Sequence, residues 1–276
     1  MKNARSVLGM LAFCIGCLPG CVPLKEVNLF AEDSRESLGK MTSAPYGYAS
    51  YCYDSTYINK TRFNALADLD GDCRDALLFD SLLRTEYETL AAYFAALGQL
   101  SGAKTRFDFS PVAGAIQPGT YGGFTITSVE SKAVNALAAT ATALLTTGYK
   151  HKKIKGLLTR FHDTLDLAIT FVGLHANNLK NKVLNMQIRL KERTDLMVGD
   201  AQDDREKWAL AYIYKQKSKE LAEVIDSYDA RCLALQKIRQ GHQKLVDNVE
   251  DLGSATLKKE MLGLARDIIY ISNKAN

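Results

Sequence analysis

Four histidines, six cysteines and several carboxylate clusters are the groups with which this 276-residue chain could do chemistry. His151, His162, His175 and His242 lack the Glu three residues earlier that a di-iron helical bundle uses, and no H-E-x-x-H places two of them one turn apart. Metal catalysis is therefore not expected. Asp68-Leu69-Asp70-Gly71-Asp72 alternates carboxylates as the start of a calcium loop does, yet the sixth position is Cys73 where such a loop needs Gly and the twelfth is Phe79 where it needs Glu. An acidic turn before a helix explains it better. Ser37-Leu38-Gly39-Lys40 and Ser101-Gly102-Ala103-Lys104 have the S-x-x-K spacing that sets a Lys beside a nucleophilic Ser, without the S-D-N and K-T-G elements that complete such a site. No G-x-S-x-G, P-loop or dinucleotide fingerprint is present. Carboxylate pairs such as Glu86 with Glu88, or Asp163 with Asp166, read as solvated helix positions. No catalytic residue, metal or cofactor is assigned.

Charge offers a binding surface instead. Residues 131–194 hold 11 basic and 3 acidic side chains, and the densest stretch is Lys150, His151, Lys152, Lys153, Lys155 and Arg160. Such a face could meet anionic lipid, glycan or an acidic protein, or it could be balanced by acidic residues of the same chain. Phe107, Phe109 and Tyr121, in the segment richest in Gly and Pro, are a second candidate contact set. Tyr46, Tyr48, Tyr51, Tyr53 and Tyr57 form a third cluster, suited to a surface or to local packing. The overall balance, +4, is too small for a dedicated nucleic-acid binder.

The elements that must position these groups are helices. All five prolines fall before residue 119, so nothing breaks a helix in the last 158 residues. Residues 22–45, of mixed charge with Ser, Gly and Pro, read as a tether in which Val27 to Phe30 could pack locally. Helices are expected at 55–70 and 74–100, then an irregular segment at 101–126 with two prolines and five glycines and a short strand at 124–126. Thr127-Ser128-Val129-Glu130 has capping-box spacing and opens a helix to about Thr147. Ile154, Leu158, Phe161, Leu165, Ala168, Val172, His175 and Leu179 alternate steps of four and three, and Val183, Met186 and Leu190 continue the row after a stutter. A second row runs through Ala211, Tyr214, Ser218, Leu221, Ile225, Tyr228, Cys232, Leu235, Arg239, His242, Val246 and Val249. Residues 194–204, with Gly199 and four Asp, would turn one long helix back along the other. His175 and His242 sit on these rows as core histidines. Ser254 is the expected cap of a last helix. The fold class is all-α: an elongated helical bundle with a long antiparallel, coiled-coil-like hairpin and a small disulfide-linked N-terminal cap.

The first 21 residues are of another kind. Lys2 and Arg5 precede an apolar run from Val7 to Ile15, too short to span a bilayer of about 30 Å, and Leu18-Pro19-Gly20-Cys21 follows. This is the pattern of an export signal. Leu followed by a small residue directly before Cys resembles the lipobox of bacterial lipoproteins, which implies cleavage before Cys21 and triacylation of that residue. Pro19 departs from the small or β-branched residue usual there, and Cys17 after Ile15-Gly16 is a second acceptor. Val22, where an Asp would hold such a protein in the inner membrane, implies the outer membrane, facing the periplasm.

The resulting division is a signal peptide at 1–20, a lipid-anchored tether at 21–45, an N-terminal helical region with an irregular loop at 46–126, and the long bundle at 127–276. With Cys14, Cys17 and Cys21 assigned to signal and anchor, Cys52 and Cys73 are the natural disulfide in an oxidising compartment, although spacing leaves pairing of Cys232 with either one open. The expected function is that of a non-catalytic envelope lipoprotein, an adaptor or inhibitor, that binds another envelope component: most simply a protein, otherwise anionic lipid or glycan. The alternative is an envelope hydrolase acting on glycan or lipid.

Overall fold

The computed structural model describes residues 24–59, 72–102, 116–121, 123–145 and 151–274. Seven helices, α1 (Lys25–Thr42), α2 (Tyr48–Asn59), α3 (Arg74–Ser101), α4 (Ser128–Leu145), α5 (His151–Asp200), α6 (Asp204–Asp247) and α7 (Ala255–Ser272), account for almost all of them. The 50 residues of α5 and 44 of α6 span about 75 and 66 Å and pack against each other as an antiparallel hairpin. On α5 the expected row is the buried one: Ile154, Leu158, Leu165, Ala168, Val172, His175, Leu179, Val183, Met186 and Leu190 are all sealed, and only Phe161 is half-exposed.

The hairpin differs from expectation at its turn and on the far face of α6. Helix α5 runs through Gly199 to Asp200, and the chain reverses over residues 201–203. One helical Gly costs only about 1 kcal/mol, whereas Asp203 accepts from the Glu206 N–H (2.8 Å) and fixes where α6 starts. Helix α6 buries a broader face than one row. Arg231, Ala234, Ile238, Gly241 and Leu245 alternate steps of three and four beside the expected row, because α6 also packs on α1 and α7. Arg239, on the expected row, is exposed and bonds Asp166 of α5.

The tether expectation fails. Residues Lys25–Thr42 are a core helix, with Val27, Phe30, Ala31, Ser34, Leu38 and Met41 buried against α3 and α7. Small residues on that face hide its periodicity while letting the helices approach closely. Phe30 meets Phe94 edge-on at 5.9 Å and lies over Gly241, where an added Cβ would stand 2.2 Å from the ring. Only glycine admits α1 there.

The N-terminal cap forms as expected around the Cys52–Cys73 disulfide, which joins α2 to the start of α3. Cys232 is free and half-buried, and burial pushes its thiol pKa up. Helix α2 starts earlier than expected, at Tyr48, and the second half of the expected helix at 55–70 lies outside the described residues. Strands β1 (Gly119–Tyr121) and β2 (Phe124–Ile126) pair antiparallel, and Gly123, just before β2, takes φ 85°. The capping box is present, Thr127 Oγ1 accepting from the Glu130 N–H and Glu130 Oε2 from the Thr127 N–H. Ser254 caps α7 as expected.

Candidate functional site

The connection from α1 to α2 crosses α3, α5 and α6, and a cavity of about 240 Å³ remains at the crossing. A carboxylate builds its wall: Asp80 of α3 accepts from the backbone N–H of Tyr48 (2.8 Å) and Ala49 (2.9 Å), capping α2 from a different helix. Gly47 is required for this, since a Cβ there would lie 2.6 Å from the carboxylate. Two tyrosines tie the crossing together. Tyr48 donates its hydroxyl hydrogen to the His175 carbonyl of α5, and Tyr228 of α6 donates to the Tyr46 carbonyl, each at 2.8 Å. Burial pushes the Asp80 pKa up, and its two backbone donors and the Arg84 charge oppose that rise. Pro45, Leu77 and Arg84 form the solvent-facing rim, while Tyr48, Tyr87, His175 and Arg231 form the buried floor.

Arg231 is the unusual member of that floor. It is 2% exposed, its Nη1 reaches only the Met41 carbonyl at 3.4 Å, and its Nε has no hydrogen-bond partner. The guanidinium lies 5.1 Å from the centre of the Tyr228 ring, and it forms no ion pair among the described residues. A buried cation is costly without a partner.

Behind the cavity sits a sealed acid cluster. Glu130 Oε1 is 2.7 Å from His175 Nε2, and Glu86 lies beside Glu130; the two carboxyls are 0% and 1% exposed for Glu86 and Glu130. Burial first, and then the neighbouring Glu130 charge, raises the Glu86 pKa well above the carboxylate range. Reading Glu86 from sequence as solvated is thus corrected: its helix turns it inward, while Glu88 does face solvent. Two coupled carboxyls could serve acid–base chemistry, but no solvent reaches this pair. No hydrogen bond links Ser50, the cavity's serine, to His175, whose Nε2 is taken by Glu130. A second buried histidine, His242, bonds the Tyr93 hydroxyl at 2.7 Å and stacks on His162, and desolvation brings its pKa down to about 3.

A different surface lies at the far end of the hairpin. No residue from 191 to 220 is buried, and past the contacts of Arg193 and Lys217 with α2 the two helices run on as a pair beyond the other described helices. Leu196 (71% exposed), Met197, Trp208 (68%), Tyr212 and Ile213 crowd this tip, and the Trp208 and Tyr212 rings stack at 5.5 Å. The surrounding charges are mostly neutralised locally, by Lys191 with Asp195 and by Lys217 with Asp54 and Glu220. Large apolar side chains grouped on an exposed projection are what a binding surface offers.

The sequence candidates fare unevenly. Cys21, Lys150, Phe107 and Phe109 lie outside the described residues, as does the side chain of Lys152. Lys155 is bonded to Glu250, which takes it out of a free basic face. Lys153 and Arg160 line a shallow groove between α4 and α5, with Arg160 over the Phe161 ring at 5.5 Å. Tyr121 is half-buried on β1 and donates to the Gln117 carbonyl at 3.3 Å. Of the tyrosine cluster, Tyr46 and Tyr48 are core and Tyr53 and Tyr57 are exposed. Of the two motifs, Ser37 is buried inside α1, and Asp72 is held by Arg74, which brings its pKa down to about 2. Sequence reading missed the tip and Arg231. The single Trp of the chain, on an otherwise polar stretch next to the expected turn, was the available signal for the first. Arg231 stood next to a row, not on it, and carried no signal.

The fold and these sites define an all-α bundle with a projecting helical hairpin and a small cavity beneath the α1–α2 connection. No protein-family model matches the chain, and neither does any curated protein or any solved structure. Among the described residues no helix is long and apolar enough to cross a membrane, and no three His, Cys, Asp or Glu side chains gather as metal ligands.

Proposed function

We propose that this chain is a non-catalytic bacterial envelope lipoprotein, held on the periplasmic face of the outer membrane through Cys21, whose hairpin tip binds another envelope protein. The observation that carries this reading is the polarity of the bundle. Helix α1 packs antiparallel to α6: Phe30, near its start, lies on Gly241, and Met41, at its end, lies beside Arg231. Leu24 is buried at the start of α1, and three residues of chain place Cys21 within about 11 Å of it. Trp208 is 33 residues from Gly241 along α6, or about 50 Å. A lipid at Cys21 would therefore hold the root of the bundle at the membrane and carry the tip far into the space beyond. The lipobox-like Leu18-Pro19-Gly20-Cys21 supports the anchor, and the exposed Trp208, Tyr212, Leu196 and Ile213 support a protein partner over a polar glycan.

The test is site-specific photocrosslinking in intact cells from position 208 or 212, with position 153 on the α4–α5 groove as the comparison. One dominant adduct from the tip positions and none from 153 is expected. Equal or absent adducts at the tip would reject the tip as the contact surface. Cys21→Ala is expected to release the protein from membranes; retained lipid labelling on that variant would move the anchor to Cys17.

A further inference from the structure

The cavity beneath the α1–α2 connection has features that a partner-binding bundle does not need. Its floor holds a guanidinium that is almost completely buried and forms no ion pair among the described residues, an arrangement that is costly without compensation. Its volume, about 240 Å³, far exceeds the ~30 Å³ that one water occupies. Elsewhere in the same molecule the Nε–Nη2 edge of an arginine holds a carboxylate side-on, Arg74 to Asp72 at 2.9 and 2.7 Å and Arg239 to Asp166. On Arg231 the Nε of that edge has no hydrogen-bond partner.

We propose that this cavity is a binding site for a small ligand carrying an oxyanion, a carboxylate or a phosphate, with Arg231 as its counter-charge and the Tyr87 hydroxyl as a second donor. Tyr87 lines the same floor and makes no hydrogen bond to any described residue. Burial raises its pKa, so the phenol keeps its proton and donates. The charged groups on the wall are two arginines, Arg84 and Arg231, and one carboxylate, Asp80, which is already engaged by two backbone N–H groups. That balance favours an anion. Met41, Leu83, Val172 and Ala176 supply an apolar wall for a short carbon chain next to the charged end. This site is independent of the tip: it lies about 35 Å from Trp208, by the 23 residues of α6 between them.

The test is calorimetric titration of the full mature chain with two probes, sodium hexanoate and inorganic phosphate, alongside Arg231→Lys and Tyr87→Phe. Saturable one-site binding of at least one probe is expected. Binding of hexanoate alone identifies a carboxylate ligand, and of phosphate alone a phosphate ligand. Arg231→Lys, which keeps the charge but loses the fork, should weaken it about tenfold, and Tyr87→Phe roughly threefold. Tyr87→Phe removes one oxygen from a folded core, so it reads the site even if Arg231→Lys destabilises the chain. Failure of both probes to saturate overturns the proposal, as does binding that neither substitution changes.

Discussion

The two ends of the α5–α6 hairpin are built from the same helices and serve opposite purposes. At the root, α1, α3, α4 and α7 pack on the pair, and the α5 row from Ile154 to Leu190 is sealed except at Phe161. Among the described residues the tip helices meet each other and the end of α2, whose Tyr57 carbonyl accepts from Arg193 at 3.1 Å. Leu196, Trp208, Tyr212 and Ile213 are all more than half exposed there. The lesson is that periodicity alone does not bury a helix: Leu190 on α5 and Leu221 on α6 are the last buried side chains toward the tip, and the seam between their levels already includes a polar contact, Gln187 to the Ser218 carbonyl (3.1 Å). Burial stabilises the root, and exposure at the tip leaves its rings free for a partner.

That contrast can be broken most severely at the root. Phe30→Ala should cost roughly 4 kcal/mol in urea denaturation, because it removes a fully buried ring that bridges α1, α3 and α6. A loss below about 1 kcal/mol would mean that α1 is not part of the cooperative core. Reduction of the cap is next in size. Cys52→Ser with Cys73→Ser opens a loop of 21 residues and should lower stability by about 3 kcal/mol in the chain-entropy view, with tip crosslinking unchanged.

Acid should act on the root through His242. Its pKa is lowered to about 3 by burial, against about 6.5 unfolded, so between those values the unfolded chain binds a proton that the native chain does not. Stability from this residue is complete above pH 6.5 and falls as the pH drops, by about 2 kcal/mol at pH 5. His242→Gln should flatten the acid limb of the stability curve by that amount. A limb of unchanged slope would place the acid sensitivity elsewhere. Glu86 acts with the opposite sign: its raised pKa makes the native chain hold the extra proton, so its effect grows less favourable as the pH rises above the ordinary carboxylate range. Glu86→Gln should therefore stabilise the chain at neutral pH, which melting curves at two pH values would show.

The smallest effect on stability should come from the tip. Trp208→Ala with Tyr212→Ala is expected to shift stability by less than about 0.5 kcal/mol, as exposed substitutions do, while abolishing the crosslinked adduct. A large loss of stability would show that the tip is structural.

Much of this architecture was legible in the residues themselves. The absence of proline after residue 118, the row from Ile154 to Leu190, the capping box at Thr127 and Glu130, and the Cys52–Cys73 pairing follow from local rules of period, cap and spacing, and the fold obeys each. The candidate sites were far less legible. Helix α1 was hidden because its buried face relies on Ser34, Ser37 and Ala31, whose value lies in letting α3 and α7 approach. Glu86 read as an ordinary solvated charge and Arg231 gave no signal, since a helix pattern says which way a side chain points but not which other helix waits there. Local sequence determined the elements and one seam between them. Only the tertiary packing of α1, α3 and α7 against that seam decided which end of the hairpin was covered, which end stayed open, and which charged groups were sealed inside, because those outcomes depend on contacts between segments as much as two hundred residues apart.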